Sequence, residues 1–463
     1  MEMQQVTVLE MMLAREARAD MQRRLLAEHP GAVIVCLTMN IAGPVKTTPD
    51  IERAFAWGQA QVRAVLAAQE TLFAGDVHGK TGPEAIYAVR GDAKELKRRL
   101  CALEDGTPMG RLLDIDVIAP YGEKIARTEI GFPARRCLLC GEEAPVCARS
   151  RAHGVEELFA RAHALIRAHF EEAFARCVGQ NAQRALLCEV AVTPKPGLVD
   201  RQNAGAHEDM DVFTFIDSAC ALRGYFEQCA HAGLAHRNGD AGACFDSLRV
   251  PGLLAEADMR AATGGVNTHK GAIFSLGVFC AALGMGFDGE KSDVIAALER
   301  CGEMTGARMA RELERAKEGE AQTFGERLYQ QRGIGGVRSE AAGGFAGVRE
   351  VGLPRMRACL DAGMSVNDAG LCTLVALMAC TQDTNAVRRG GCEGAQRLRD
   401  AARRLSAAVD AMLADGTARE EMPRLRVQME EWDRELSVAR ISPGGCADLL
   451  AMTLLARFMQ FPS

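Results

Sequence analysis

The sequence predicts two domains of different fold class, an N-terminal α/β domain and a C-terminal domain made of helices. The chain has 463 residues, which is enough for two or three separate hydrophobic cores. Short β-branched runs alternate with helical patterns up to about residue 130. Beyond about residue 180 the strand patterns end and apolar residues recur at helical spacing. We therefore assign residues 1–170 to the first domain and residues 178–463 to the second.

The first domain alternates helix and strand patterns. Helical spacing predicts helices over residues 5–28, 51–69 and 93–103. Asp50 and Asp92 directly precede two of these helices and are the expected N-caps. Compact apolar runs predict strands over residues 32–39, 85–89, 112–118 and 125–130.

The predicted strand at residues 112–118, LLDIDVI, carries two acidic residues. Side chains alternate between the two faces of a strand, so Asp114 and Asp116 project from the same face. Adjacent carboxylates repel each other, and burying them without a cation costs free energy. A Mg²⁺ ion would relieve the repulsion and leave coordination positions for phosphate oxygens. A D-x-D pattern that stands alone is more typical of a polar sheet face than of a metal site, so the residues around it are needed to interpret it.

An arginine- and cysteine-rich run follows at residues 135–153, RRCLLCGEEAPVCARSRAH. Guanidinium groups match the oxygens of a polyphosphate, so Arg135 and Arg136 support a phosphate site beside the acidic strand. The run also has the spacing of a zinc site at Cys137, Cys140, Cys147 and His153. Because the sequence contains no second C-x-x-C, we favour reduced thiols over structural zinc at this stage.

The second half of the chain contains eight segments with helical spacing. They are residues 212–230, 270–283, 293–318, 354–362, 370–381, 392–414, 424–435 and 446–459. The loop at residues 191–211 concentrates proline, glycine and charged residues, which makes it the first candidate for a binding site. Further polar or glycine-rich segments lie at helix ends, at residues 264–271, 333–344, 383–391 and 440–448. The first of these places Lys270 at a helix start, where exposed N–H groups favour phosphate.

The composition limits the classes of partner. The net charge is −6 and no basic block offsets it, so nucleic acid is not an expected partner. No apolar run reaches the length of a membrane span, and the first ten residues lack the apolar region of a secretory signal. The 17 cysteines therefore suggest reduced thiols, and we expect a cytoplasmic protein.

Four motifs within residues 5–170 resemble one enzyme family. They are NIAGPVK at 40–46, HGKTGPEA at 78–85, GRLLDIDV at 110–117 and the run at 135–153. In this order they resemble the phosphoribosyl-dephospho-CoA transferases of citrate lyase. The resemblance implies a nucleotidyltransferase-like fold with a mixed sheet. It also implies transfer of a phosphoribosyl-dephospho-CoA group to a serine of the acyl-carrier (gamma) subunit of apo-citrate lyase, with release of pyrophosphate.

Nearly all of the second half resembles the triphosphoribosyl-dephospho-CoA synthases. The matching segments are the loop at 191–211, ATGGVNTHKGAIFSLG at 262–277, TFGERLYQQ at 323–331, GVRSEAAGGF at 336–345, DTNAVRRGG at 383–391 and ISPGGCADLL at 441–450. The resemblance implies ATP and 3′-dephospho-CoA as substrates. A ribose hydroxyl of dephospho-CoA would displace adenine from the ATP ribose, and the product is the donor that the first family consumes.

This reaction assigns expected roles in the second domain. Loss of adenine develops positive charge at the ribose C1, so carboxylates should flank that carbon or transfer protons. The candidates are Asp200, Asp209 and Asp211. Expected phosphate ligands are Lys195, Lys270, Arg338 and Arg440, and expected Mg²⁺ ligands are Asp209, Asp211, Asp383 and Asp448. Residues expected to orient the ligand, or to contact its ribose and adenine, are His207, His269, Asn203, Asn267 and Asn385.

In the first domain, Asp114 and Asp116 are the expected Mg²⁺ ligands. Lys80, Arg111, Arg135 and Arg136 are expected to bind the leaving pyrophosphate. Two other classes of function stay open at this point. A helical nucleotide hydrolase with a fused regulatory domain would cleave ATP without dephospho-CoA, and a non-catalytic assembly chaperone of citrate lyase would form no small-molecule product.

Overall fold

The computed structural model describes residues 4–315 and 324–460. The chain divides into two compact units, Met1–Glu171 and Glu172–Ser463. Within the described ranges, no helix is both long and apolar enough to cross a membrane.

The first unit contains a four-stranded sheet. Its strands are β1 (Val33–Met39), β2 (Thr71–Val77), β3 (Glu84–Val89) and β4 (Leu113–Ile118). They lie in the order β2-β3-β1-β4, and every neighbouring pair is antiparallel. The expectation of a mixed sheet is therefore wrong. A short turn joins β2 to β3, and such a turn can join only antiparallel neighbours.

The sequence did not predict strand β2, and one strand that it did predict is not formed. β2 is an exposed edge strand whose sequence, TLFAGDV, includes Gly75 and Asp76, both poor strand formers. The predicted strand at 125–130 is wrong, because Arg127–Ile130 forms a 3₁₀ turn. Gly131 follows it in the left-handed region at φ 85°, so the chain turns instead of extending.

Helices cover both faces of the sheet. α1 (Val8–Glu28) packs Leu25 against Ile34 on one face. α2 (Pro49–Leu66) and α3 (Ala93–Gly106) pack on the other, against Val35, Leu37 and Ile115. The remaining helices of this region are α4 (Ala144–Ser150) and α5 (Val155–Ala191), and α5 contributes residues to both units.

The two predicted N-caps of the first unit have different outcomes. Asp92 caps α3 as expected, because its side chain accepts a hydrogen bond from the Glu95 N–H at 2.7 Å. Asp50 does not cap α2. Thr48 accepts from the Ile51 N–H instead, Pro49 occupies the first helical position, and Asp50 lies in the first turn.

In the described part of the second unit, all the regular elements are helices. They are the end of α5, α6 (Val212–Ala235), α7 (Ala241–Ser247), α8 (Arg249–Ala262), α9 (Lys270–Met285), α10 (Val294–Arg315), α11 (Phe324–Arg332), α12 (Gly336–Ala342), a π-helix (Gly347–Gly352), α13 (Leu353–Asp361), α14 (Val366–Cys380), α15 (Thr384–Ala414), α16 (Ala418–Val438) and α17 (Gly444–Gln460). The end of the predicted helix 293–318 and the first residue of the 323–331 motif lie outside the described residues.

Two of these helices are buried on all sides. Nearly every residue of α9 from Ala272 to Met285, and of α14 from Asp368 to Met378, is inaccessible to solvent. Small residues allow α6 to approach α9 closely: a Cβ added at Gly233 would collide with the backbone of Ala281, and one at Gly284 with Ala230. This packing holds the second half of α9 against α6, and the predicted site residues lie at the other end of α9, near Lys270.

We predict that Gly233→Ala destabilises the second unit by about 1–3 kcal/mol, because the added methyl group has no space against α9. Gly224→Ala is the matched control in the same helix, since a Cβ there meets nothing within 4 Å. It should be neutral or stabilise by up to about 1 kcal/mol. Denaturant unfolding of the two variants measures the difference, and equal stabilities would contradict the packing described for α6 and α9.

Candidate active sites

A cavity of about 760 Å³ lies in the second unit. It is lined by the end of α5, the loop at 191–211 and the starts of α9, α15 and α17. The volume is in the range of small-molecule sites. Three helix starts direct positive dipole ends toward the cavity, which favours an anionic ligand, and Asp383 already accepts some of the N–H groups at the starts of α15 and α17.

Many of the predicted site residues line this cavity. They are Lys195, His207, Asp209, Asn267, His269, Lys270, Asp383, Asn385 and Asp448. Others of the second domain are not among the described lining residues. These are Asp200, Asn203, Asp211, Arg338 and Arg440.

Two carboxylates hold the loop at 191–211 in shape. Buried Asp200 accepts hydrogen bonds from the backbone N–H groups of Lys195, Gln202 and Asn203, at 2.7–3.1 Å. Asp433, which the sequence analysis did not single out, accepts from Gly197 N and from the Asn203 side chain, at 2.8 and 2.9 Å. Asp200 and Asn203 therefore organise the loop, and their polar atoms are already used.

The other three predicted residues outside the cavity also have local partners. Asp211 caps α6 by accepting from the Thr214 N–H at 2.9 Å, and this bond lowers its pKa. Arg338 lies on a separate cavity of about 280 Å³. Exposed Arg440 pairs with Glu208.

Lys195 forms a buried ion pair with Glu189 of α5, and both side chains line the cavity. Burial raises the pKa of Glu189, although Lys195 counteracts the shift. Glu189 lies inside a helical pattern, so nothing in its local sequence marked it as a site residue. Because Lys195 already neutralises Glu189, it contributes less to a phosphate site than the sequence suggested.

Two further carboxyl groups at the cavity have raised pKa values. Asp383 caps α15 and accepts from three N–H groups, those of Asn385, Ala386 and Cys446, at 2.8–3.0 Å. Burial nevertheless raises its pKa. Asp448, on α17, is partly buried and lines the cavity, and desolvation together with Glu189 raises its pKa well above the ordinary value. Residues 384–390, predicted as part of a loop, form a short helical segment that Asp383 caps, and the non-helical Gly391 (φ 67°) separates this segment from the rest of α15.

The two histidines at the cavity are neutral near pH 7. Burial and the nearby Arg389 lower the pKa of His207 to about 4, and burial followed by Lys195 lowers that of His269 to about 3. His207 contacts the Ser442 hydroxyl through Nε2 at 3.0 Å. The Nδ1 atom of His269 contacts Ser218, whereas its buried Nε2 has no hydrogen-bond partner in the described structure.

The basic side chains at the cavity differ from those expected. Lys270 lines it as predicted and lies 2.9 Å from Glu256. Arg388 and Arg389 line it in place of Arg338 and Arg440. The sequence analysis noted this arginine pair only as part of a loop, and the helical start of α15 is what directs it to the cavity.

In the first unit, Asp114 and Asp116 lie on the same face of edge strand β4, as the alternation predicted. Each has a basic neighbour: Lys124 Nζ is 2.7 Å from Asp116, and Arg135 Nη2 is 3.6 Å from Asp114. Arg135 also pairs with buried Glu104 and donates to the Leu113 carbonyl at 2.7 Å. The acidic pair and Arg135 are thus brought together.

The remaining predicted pyrophosphate ligands are differently placed. Arg111 donates to the carbonyls of Arg136 and Cys137, and Arg136 donates to that of Gly141. Lys80 follows β2, at the opposite edge of the sheet from β4, and pairs with Glu10 at 2.8 Å. Three strand spacings of about 4.8 Å separate these edges by roughly 14 Å, so Lys80 is not brought to the acidic pair.

Two family models match the chain. The model described as ATP:dephospho-CoA triphosphoribosyl transferase (CitG) matches residues 175–462. The model described as apo-citrate lyase phosphoribosyl-dephospho-CoA transferase (CitX) matches residues 6–169. The chain is thus a transferase with both of these activities, in the biosynthesis of the citrate lyase prosthetic group. The hydrolase and chaperone alternatives are not favoured.

Two of the similar proteins match most of the chain. The chain is 33% identical to Protein CitXG of Haemophilus influenzae, over 97% of this chain and 95% of the relative. It is 34% identical to Protein CitXG of Leuconostoc mesenteroides subsp. cremoris, over 84% and 85%. It is 40% identical to a probable 2-(5''-triphosphoribosyl)-3'-dephosphocoenzyme-A synthase of Vibrio cholerae, over 60% of this chain and 87% of the relative. The chain belongs to the CitXG family, a fusion of the two citrate lyase prosthetic-group enzymes.

Proposed function

We propose that the second unit makes the prosthetic-group precursor and that the first unit attaches it. The second unit would convert ATP and 3′-dephospho-CoA to 2′-(5″-triphosphoribosyl)-3′-dephospho-CoA and adenine. The first would transfer the product to a serine of the acyl-carrier subunit and release pyrophosphate. The main support is the cavity, which combines three helix starts, basic side chains and carboxyl groups of raised pKa. We further propose a cytoplasmic location, since all 17 cysteines are free.

In the first reaction, a hydroxyl oxygen of dephospho-CoA bonds to the ribose C1 of ATP as the bond from C1 to adenine breaks. The hydroxyl loses a proton and the departing base gains one. Asp448 is the proposed proton-transfer group, because it lines the cavity and its pKa is raised well above the ordinary value. Asp209 is exposed at the same cavity and would stabilise the positive charge that develops on the ribose.

His269 is the proposed hydrogen-bond donor to adenine. The Thr268 hydroxyl donates to Ser218 at 2.8 Å, and Ser218 lies 2.7 Å from His269 Nδ1. Because the Ser218 hydroxyl accepts from Thr268, its own proton is directed to Nδ1 of His269. The proton of the neutral imidazole ring is then on Nε2. That buried N–H lacks a partner in the described structure and would be satisfied by a ring nitrogen of the base.

The triphosphate would lie against the starts of α9, α15 and α17, with Lys270, Arg388 and Arg389 as its charged ligands. For Mg²⁺, Asp209 is the best-fitting donor at the cavity, because Asp448 is assigned to proton transfer. Asp383 already accepts three N–H groups, and Asp211 is the cap of α6. When bound, the ion would neutralise phosphate charge and orient the nucleotide.

We predict that Asp448→Asn lowers the rate of adenine release from ATP plus dephospho-CoA by roughly 10²–10⁴-fold, because the amide cannot transfer the proton. Chromatographic quantification of adenine measures it. The control is Asp415→Asn, an exposed aspartate at the end of α15, which should release adenine at the wild-type rate. Wild-type release by Asp448→Asn would remove Asp448 from the mechanism. Adenine release without dephospho-CoA would instead support a hydrolase.

For the second reaction, we propose a nucleotidyltransferase-like first unit. The carrier serine oxygen would attack the phosphorus next to the ribose, and the bond to pyrophosphate would break. Asp114 and Asp116 present two carboxylates on one strand face and would hold Mg²⁺, while Arg135 is placed to contact the departing pyrophosphate. Lys80 is omitted, because it lies at the other edge of the sheet.

We predict that Asp114→Asn and Asp116→Asn each slow carrier modification at least roughly 100-fold, the loss expected when several kcal/mol of metal-assisted stabilisation disappears. Adenine release should stay at the wild-type rate, since the second unit is unchanged. Glu123→Gln, an exposed acid of the same unit, is the control. The mass of the carrier subunit reports the transfer. Normal transfer by both aspartate variants would contradict the assignment.

A further inference from the structure

Four metal-binding side chains converge in the first unit: Cys137, Cys140, Cys147 and His153. Their ligand atoms all lie within 4.8 Å of one another. The Sγ atoms of Cys140 and Cys147 are 3.4 Å apart, far beyond the roughly 2.05 Å of a disulfide. Two thiolates on a tetrahedral zinc ion lie about 3.8 Å apart, given a Zn–S bond of about 2.3 Å. The separation thus fits a shared metal ion much better than a disulfide.

A tight hairpin presents the first two cysteines. Arg136 and Glu143 form an antiparallel bridge, and the Cys137 N–H donates to the Glu142 carbonyl at 2.6 Å. Gly141 closes the turn in the left-handed region, at φ 77°. The Leu139 N–H donates to the Cys137 sulfur at 3.5 Å. A backbone donor at the sulfur favours the thiolate, which is the form that binds metal.

The other two side chains come from the segment that follows. Cys147 lies on α4, and Arg151 ends that helix in the left-handed region at φ 49°. The Ala152 N–H donates to the Cys147 carbonyl at 3.1 Å, so the chain turns back and brings His153 to the cysteines. His153 Nε2 is buried and has no hydrogen-bond partner among the described residues. A buried nitrogen in this state is costly unless a ligand satisfies it.

We propose that Cys137, Cys140, Cys147 and His153 bind one zinc ion in a closed structural site. Three thiolates and one imidazole in a tetrahedral arrangement are a ligand set that zinc prefers. With four protein ligands the ion has no open position, so its role is to hold the fold. This proposal replaces the expectation of ordinary reduced thiols, which rested on the lack of a second C-x-x-C in the sequence.

Zinc bound by residues 137–153 would also position Arg135 next to β4, the strand that carries Asp114 and Asp116. Arg111, just before β4, donates to the carbonyls of Arg136 and Cys137 at 3.1 and 2.9 Å. Arg135, two residues before Cys137, donates to Leu113 of β4 and lies 3.6 Å from Asp114. Zinc binding would therefore fix the loop against β4 and keep Arg135 beside the acidic pair.

Metal analysis of the full-length protein tests the proposal. We expect protein purified under reducing conditions to contain about one zinc ion per chain, measured by inductively coupled plasma mass spectrometry. Replacement of zinc by Co²⁺ should give the thiolate-to-cobalt charge-transfer band and the visible bands of a tetrahedral site. Neither readout depends on catalysis, so the result is independent of the proposed function.

Variants identify the ligands. Cys140→Ser and Cys147→Ser should each bind zinc at least roughly tenfold more weakly in competition with a chelator. His153→Cys should retain zinc and shift the cobalt spectrum toward four sulfur ligands. Cys392→Ser, an exposed cysteine of the second unit, is the control and should match the wild type. The proposal is overturned if reduced wild-type protein titrated with Zn²⁺ binds no more than Cys140→Ser, or if active protein carries a Cys140–Cys147 disulfide.

Discussion

The stability of the second unit's cavity depends on how the fold balances the charge of its buried and partly buried carboxyl groups. Glu189, Asp383 and Asp448 all have pKa values raised by burial, and buried Lys195 pairs with the first of them. An isolated buried carboxylate is costly, so each group needs a partner or a proton. The fold gives Glu189 a lysine and Asp383 three N–H donors. Asp448 faces the cavity, where a ligand can balance its charge.

In the second unit, some polar residues hold the site in shape, and others are proposed to act on the ligand. Asp200 and Asp433 fix the loop at 191–211 through backbone N–H groups, and the loop in turn places His207 and Asp209 at the cavity. The first unit uses a similar division. Glu104 is buried and pairs with Arg135, whereas Asp114 on the adjoining strand stays accessible. In both units the buried acid positions its surroundings and the accessible acid is available for chemistry.

The sequence predicted the helical second half and three of the four strands, because those segments have clear periodicity. It missed β2, whose Gly75 and Asp76 weaken the strand pattern and whose pairing depends on β3. Asp209 and Asp448 were predicted as site residues and line the cavity. Asp200 and Asp211 were also predicted as site residues, but they bind backbone N–H groups instead. The sequence cannot separate these two roles, because acidic residues that bind a ligand and acidic residues that bind backbone N–H groups occur in loops of the same composition. Glu189 escaped notice because only tertiary packing brings a mid-helix acid to a cavity.

The central claim is that ATP with Mg²⁺ binds at the cavity beside Asp448, whose pKa is raised in the free protein. Isothermal titration calorimetry with ATP and excess Mg²⁺, repeated at pH 7 in buffers of different ionisation enthalpy, counts the protons exchanged on binding. We predict that the wild type releases more protons on binding than Asp448→Asn, because a bound cation lowers the raised pKa of Asp448. Equal binding of ATP in EDTA, with no proton release from the wild type, would contradict the claim.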